Sequence, residues 1–159
     1  MKKNIVIASD KGGFPLKESV KLHLLSQGFS VLDKGTLDPN EPVLFFQAAA
    51  NAIEEINKQN ADIAILCCNT GMGMSQVANK YPGIFAAVCE STYTARKARE
   101  VNDSNVLCMG TWVVGPGLAE EITDIFLNTD FTEGLPQERK EYLQQLKENV
   151  RQLDENLRK

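Results

Sequence analysis

The sequence predicts an α/β protein with one parallel β-sheet that is covered by helices on both faces. Short apolar runs rich in β-branched residues alternate with longer helical stretches, which is the pattern of consecutive βαβ units. The chain has 159 residues, of which 43% are hydrophobic, and this suits a single domain with its own core. The five predicted strands span residues 4–8, 30–33, 62–67, 84–88 and 105–109.

The longer stretches between these strands are predicted to be helices. Residues 35–42 are the exception, because an aspartate, an asparagine and two prolines there favour turns, and this segment is predicted as a loop. The pattern does not indicate the order of the strands in the sheet. The predicted helices span residues 13–26, 44–58, 74–80, 92–101 and 117–127.

The C-terminal segment follows a different pattern from the rest of the chain. Pro136 can open a helix, and leucines and a valine then recur at spacings of three and four residues. This narrow stripe suits docking along another helix, such as one of a second subunit, although packing on its own domain is the alternative. We therefore predict an α/β domain, residues 1–134, and a C-terminal helix, residues 135–159, that is part of the same domain and of the oligomer interface. The stripe consists of Leu143, Leu146, Val150, Leu153 and Leu157.

Composition excludes several classes of function. The formal net charge of −4 is unsuited to a general nucleic-acid binder, which needs a basic surface. No apolar run approaches the roughly 20 residues that span a bilayer, and the first residues lack the apolar region of a secretion signal. We therefore expect no nucleic-acid partner, no membrane association and a cytoplasmic location.

The cysteines and the single histidine do not form a metal-binding pattern. Cys67, Cys68, Cys89 and Cys108 lie in apolar stretches without a CxxC spacing, so they are predicted to be free thiols. His23 is flanked by leucines in a helical stretch, which favours a packing or surface role. We therefore predict neither a metal nor another cofactor.

The strongest candidate site follows the third predicted strand, because ligands of open parallel sheets bind beyond the carboxyl ends of the strands. Residues 68–75 form a turn with two glycines that leads into a helix, and its backbone N–H groups could stabilise a developing oxyanion. Cys68 would face these amides, which favours its thiolate as a base or nucleophile. A buried core position is the alternative for Cys68, whereas Cys67 should point to the other side and be structural.

Two further polar clusters could contribute to a site. Asp10 and Lys11 follow the first strand on a glycine turn, where they could hold a hydroxyl group and a phosphate. The alternative is that Asp10 caps the next helix and Lys11 is solvated. The cluster around Asn102, before the fifth strand, is a polar turn when taken by itself.

Taken together, these segments resemble the family of ribose-5-phosphate isomerase B and galactose-6-phosphate isomerase. The resemblance runs from about Ile5 to Tyr142, and the order and spacing of the segments make it specific. It is carried by residues 8–14 with 16–17, 33–36, 65–75, 78–84, 102–106 and 109–110.

The resemblance implies an aldose–ketose isomerase without a metal or cofactor, on a doubly wound, Rossmann-like α/β fold. Such enzymes are dimers or tetramers, so a homodimer or homotetramer with active sites between subunits is implied. Cys68 would be the base that moves a proton between adjacent carbons, and Thr70 would assist at the oxygens. Asp10 and Asn102 would bind sugar hydroxyls, and Lys11 and Arg139 the phosphate. The amides that would hold the enediolate belong to Asn69, Gly71, Met72, Gly73 and Met74.

This chain also departs from the family pattern. Val101 stands where a histidine is thought to open the sugar ring, so we expect a preference for substrates that already present a free carbonyl, such as tetrose phosphates. Leu135 and Trp112 replace arginines, and Asn69 stands where glycine is expected. Two functions follow: an isomerase with altered substrate preference, or a catalytically weak paralogue. Such a paralogue would be a subunit of a hetero-oligomeric isomerase or a sugar-phosphate-binding protein.

Overall fold

A computed structural model describes residues 3–158 of the chain. One sheet of five strands, all parallel, forms its centre, with the order β2-β1-β3-β5-β4. The predicted α/β class with a single five-stranded parallel sheet is therefore confirmed. The strands are β1 (Ile5–Ser9), β2 (Val31–Asp33), β3 (Ile63–Cys68), β4 (Ala86–Val88) and β5 (Val106–Gly110).

Five helices cover the sheet on both faces, and a sixth lies at the C-terminus. The apolar sides of the first, fourth and fifth helices pack on one face, and those of the second and third pack on the other. The result is a three-layer sandwich. The helices are α1 (Phe14–Ser26), α2 (Phe45–Asn57), α3 (Met72–Ala78), α4 (Thr92–Glu100), α5 (Pro116–Asn128) and α6 (Gln137–Leu157).

The central strands β1 and β3 are buried along their whole length, as their continuous apolar sequences require. Successive side chains of a strand point to opposite faces. In β3, Cys67 therefore joins the cluster under α1, α4 and α5, whereas Cys68 joins the cluster under α2 and α3. The prediction that the two adjacent cysteines face opposite sides is confirmed.

The strand order creates a crevice between β1 and β3. The chain leaves β1 toward β2 on one side, and it leaves β3 toward the opposite half of the sheet. At such a switch point the two connections diverge and leave room for a ligand at the carboxyl ends of the strands. The loops after β1 and β3 are the two segments that the sequence singles out.

Most strands and helices of the predicted α/β domain lie within one residue of their predicted bounds, whereas α3 and β4 differ by two residues. The helix α3 begins two residues earlier than expected, because Gly71 adopts a positive φ of 76° and ends the preceding turn there. The strand β4 is shorter than expected at its start. The amide of Phe85 donates to the side chain of Asn105 at 2.9 Å and that of Ala86 to Asn79 at 2.8 Å, so side chains take the place of strand pairing there.

The helix α6 is attached to its own domain at only part of its surface. Leu143 is buried, and Lys147 forms an ion pair with Asp103 at the end of α4. Further along, Asp154 accepts from the amide of Gly83 at 3.2 Å. The rest of the predicted stripe is exposed, so docking on a partner stays a prediction. Its exposed fractions are 39% for Leu146, 49% for Val150, 57% for Leu153 and 78% for Leu157.

His23 has the packing role that the sequence favours. Its Nε2 lies 2.9 Å from a carboxylate oxygen of Asp124, which links α1 to α5. Within residues 3–158, no helix combines the length and the apolar character needed to cross a membrane.

Candidate active site

Cys68 is the last residue of β3, and its sulfur is held by a main-chain donor. The amide of Gly71 donates to Sγ at 3.0 Å, and Cys68 is only 6% exposed. This contact requires the chain to turn back on itself, which the positive φ of Gly71 allows. A donor at this place stabilises negative charge on the sulfur.

The other three thiols are in surroundings that keep them protonated. Burial raises the pKa of Cys67 and of Cys108 far above the ordinary value, and burial raises the pKa of Cys89 to about 11. All four cysteines are free. Cys67 is thus a structural residue, as predicted.

The loop after β1 lies directly against the Cys68 segment. A Cβ added at Gly13 would lie 2.6 Å from the amide nitrogen of Cys68, so the two backbones are in close contact. Asp10 accepts from the amide of Gly13 at 2.8 Å, which closes the turn before α1, but Gly13 is the N-cap and no side chain caps this helix, so the capping role is not observed. This bond uses one carboxylate oxygen and leaves the second free for another donor. Lys11 is exposed and forms no ion pair with any of residues 3–158.

The turn from Thr70 to Met74 presents several polar groups next to Cys68. The Thr70 hydroxyl oxygen accepts from the amide of Met72 at 3.3 Å. Gly73 and Met74 lie in the first turn of α3, where backbone N–H groups have no acceptor within the helix. The ring of Phe45, at the start of α2, lies beside Gly73 and forms an apolar wall. Amide donors, a hydroxyl and a thiol therefore converge here.

Asn102 and Arg139 lie away from Cys68 in the folded chain. Cys68 pairs with Gly110 at the carboxyl end of β5, whereas Asn102 precedes the amino end of that strand. Five residues of strand span about 16 Å. Asn102, Arg139 and Val101 instead line a cavity of about 460 Å³ between α4 and α6, where the Arg139 guanidinium lies 5.1 Å from the centre of the Tyr142 ring. Within one chain, these residues do not meet Cys68.

The structure contains a buried ion pair next to the crevice that the sequence analysis did not predict. The Nζ of Lys17 is completely buried and lies 2.6 Å from Asp33 Oδ2 and 2.5 Å from the carbonyl oxygen of Thr36. Burial alone would raise the pKa of Asp33, but hydrogen bonds from Lys17 and Lys21 outweigh it and hold that pKa below its ordinary value. The pair ties α1 to the end of β2 and so supports the loop after β1.

Thr111 is a second residue that the sequence reasoning missed. It directly follows β5, and its amide donates to the carbonyl oxygen of Cys68 at 3.0 Å. The rule that sites lie at the carboxyl ends of strands would have pointed to this position. Among residues 3–158, no group of three or more potential ligands could hold a metal ion.

Comparisons with known proteins identify the family that this chain resembles. A family model described as Ribose/Galactose Isomerase matches residues 5–143. The chain is 49% identical over 140 residues to a 4-deoxy-4-sulfo-D-erythrose isomerase from Clostridium sp. (strain MSTE9), covering 88% of each protein. It is 35% identical over 131 residues to a D-erythrulose-4-phosphate isomerase from Pectobacterium atrosepticum, covering 82% of this chain and 86% of that protein.

A solved structure is also similar over almost its whole length. The crystal structure of a ribose 5-phosphate isomerase from Thermotoga maritima has a TM-score of 0.82 and 39% sequence identity, covering 93% of this chain and 99% of that one. The predicted family and the predicted isomerase class are therefore confirmed. The match to the family model and these relatives show that the chain belongs to the Ribose/Galactose Isomerase family of sugar-phosphate isomerases.

Proposed function

We propose that this chain interconverts the aldose and ketose forms of a short, open-chain sugar that carries an anionic terminal group. Cys68 is the base, and the reaction passes through an enediolate. The observation that carries the proposal is the 3.0 Å contact between the Cys68 sulfur and the Gly71 amide, at the edge of a turn rich in main-chain donors.

The proton transfer follows from the groups around the sulfur. The Cys68 thiolate removes a proton from the carbon next to the carbonyl group, and the electron pair moves onto the carbonyl oxygen. The amides of Gly73 and Met74 stabilise the resulting negative oxygen. Cys68 then returns the proton to the former carbonyl carbon, and the carbonyl group forms at its neighbour.

A second proton must move between the two oxygens, and Thr70 is placed to assist. Its hydroxyl oxygen already accepts from the Met72 amide, so its own proton is free to point toward a substrate oxygen. The free oxygen of Asp10 binds a sugar hydroxyl, and Lys11 attracts the anionic end.

We further propose that a second copy of the chain completes each site. Asn102 and Arg139 line a cavity near the amino end of β5, whereas Cys68 lies at the carboxyl ends of the strands, so they can act at the same substrate only if they come from a partner. The exposed stripe on α6 supplies an apolar surface for such a homodimer or homotetramer. The four free thiols favour a cytoplasmic location, which we also propose.

A mixing experiment tests the shared site. Cys68→Ala and Arg139→Ala variants should each be inactive or weak as pure proteins. Mixed dimers contain one site with both intact residues, so combining the variants after subunit exchange should restore part of the activity. If the mixture is no more active than its components, each site is built within one chain and the shared arrangement is wrong.

The apolar side chain of Val101 favours a short substrate. An apolar side chain cannot transfer the proton that opens a cyclic sugar, so an open-chain substrate is favoured. A four-carbon aldose whose last carbon carries phosphate or sulfonate has no terminal hydroxyl to close a five-membered ring. Two relatives are named for four-carbon sugars of this kind, one with sulfonate and one with phosphate. We therefore propose a four-carbon substrate with one of these two end groups.

Deuterium incorporation from heavy water, followed by NMR, tests this function. The substrates are erythrose 4-phosphate, 4-deoxy-4-sulfoerythrose, ribose 5-phosphate and allose 6-phosphate. General acid catalysis contributes about 10²–10⁴-fold, so kcat/KM on the cyclic sugars should be lower by about that factor. Comparable rates on ribose 5-phosphate would contradict the proposed substrate. No exchange with any sugar would instead favour a catalytically weak paralogue.

A further inference from the structure

Thr111 connects the two loops that carry the proposed active-site residues. Its amide donates to the Cys68 carbonyl oxygen at 3.0 Å, and its hydroxyl oxygen lies 3.2 Å from the carbonyl oxygen of Gly12. Cys68 ends β3, whereas Gly12 belongs to the loop after β1. Thr111, which directly follows β5, therefore contacts both sides of the crevice.

The side chain of Asn69 belongs to the same contact. The Thr111 hydroxyl oxygen lies 3.4 Å from Asn69 Oδ1 and 3.5 Å from the Cys68 carbonyl oxygen. A hydroxyl has one proton and cannot donate to three acceptors. The hydroxyl can donate either to the carbonyl oxygen of Gly12, its shortest contact, or to Asn69 Oδ1, so both acceptors lie within reach of the same proton.

Asn69 also fills the space between the loops. A Cβ added at Gly12 would lie within 3 Å of the end of the Asn69 side chain, so the two residues are in direct contact. The main-chain oxygen of Asn69 accepts from the amide of Trp112 at 2.9 Å, which holds its backbone next to the end of β5. A glycine at position 69 would keep this main-chain bond but lose the side-chain contacts with Gly12 and Thr111.

We propose that Thr111 and Asn69 are positioning residues that clamp the loop after β1 against the Cys68 turn. The clamp sets the distance between the groups that bind the sugar, Asp10 and Lys11, and the sulfur that moves the proton. Its effect on catalysis rests on the proposed function, whereas its effect on the accessibility of Cys68 does not.

Matched substitutions test the clamp by kinetics. Thr111→Val keeps the shape of the side chain and removes the hydroxyl, and we expect kcat to fall about 5- to 10-fold, the value of one ordinary hydrogen bond, with a smaller change in KM. Thr111→Ser should restore most of kcat. Thr123→Val is the control, because it removes a buried hydroxyl that has no hydrogen-bond partner among the described residues.

A double-mutant cycle tests whether the two residues act together. If they form one clamp, Asn69→Gly in the Thr111→Val background should cause little further loss of kcat. Independent, multiplicative losses would overturn the proposal, and so would a Thr111→Val variant with wild-type kcat.

The rate at which iodoacetamide alkylates Cys68, measured by mass spectrometry, gives a readout that needs no isomerase activity. A loosened clamp exposes the sulfur, so Thr111→Val and Asn69→Gly should each react several-fold faster than the wild type, and Thr111→Ser should not. Unchanged rates in both variants would overturn the clamp even if the protein proves to be an isomerase. Faster alkylation in a protein that exchanges no sugar proton would support the clamp and contradict only the proposed function.

Discussion

The sulfur of Cys68 lies 3.0 Å from the amide nitrogen of Gly71, whereas the adjacent Cys67 is enclosed on the other face of the sheet. Two chemically identical neighbours therefore have different surroundings. Only Cys68 combines a main-chain donor with access to the crevice, because successive side chains of a strand alternate between faces.

This difference predicts opposite effects of the two alanine variants. Cys68→Ala should abolish deuterium incorporation into substrate in a protein that remains folded. Cys67→Ala should retain exchange but lower the stability by about 1 kcal/mol, because it removes a buried sulfur from a packed cluster. NMR of the product and thermal unfolding measure the two effects. A folded Cys68→Ala variant that still exchanges the substrate proton would refute the assignment of the base.

The valine at position 101 predicts a gain of function. Val101 lines the same cavity as Asn102 and Arg139, so Val101→His would place a titratable group beside both. We expect kcat/KM on ribose 5-phosphate to rise at least 10-fold relative to erythrose 4-phosphate, by general acid catalysis of ring opening. Steady-state kinetics with both substrates measure this ratio. If wild-type protein opens cyclic sugars and Tyr93→Phe removes that ability, a tyrosine supplies the proton and the argument from Val101 fails.

The exposed stripe on α6 predicts an oligomer. Leu153→Glu places a charge in the middle of the apolar surface, so it should shift the particle toward monomer and lower isomerase activity in parallel. Gln152→Glu adds the same charge to the same helix beside the stripe and is the control. Light scattering at micromolar concentration measures the mass. A wild-type protein that is monomeric under these conditions would rule out the interface.

The buried pair of Lys17 and Asp33 predicts a pH-dependent contribution to stability. The pKa of Asp33 is lowered in the folded protein, so the carboxylate is stabilising above the ordinary aspartate pKa of about 4. This contribution is lost as the pH falls through the lower, folded-state pKa. Asp33→Asn leaves a buried ammonium group without its main partner and should cost about 3 kcal/mol at pH 7.

Calorimetry of the wild type and Asp33→Asn at several pH values checks this expectation. The difference in melting temperature should be largest near neutral pH and should shrink below pH 4. Lys17→Met removes the charge at similar volume, so it should cost less than Asp33→Asn. A difference that does not change with pH would show that the pair contributes only through packing.

Much of the fold and of the Cys68 turn can be predicted from local patterns along the chain. Alternating apolar runs and helical stretches are sufficient to predict five parallel strands, because each βαβ unit is encoded within about 30 residues. The opposite orientations of Cys67 and Cys68 follow from the two-residue period of a strand. The turn at Gly71 follows from the need for a residue that tolerates positive φ.

Contacts between distant segments could not be predicted in this way. The strand order, the burial of Lys17 against Asp33 and the bridging position of Thr111 all depend on which segments become neighbours after folding. The same is true of Asn102 and Arg139, which line a cavity near the amino end of β5, away from Cys68 at the carboxyl end of β3. Local propensities act over a few residues, whereas strand pairing and side-chain packing join segments tens of residues apart, so these relationships emerge only when the sheet assembles.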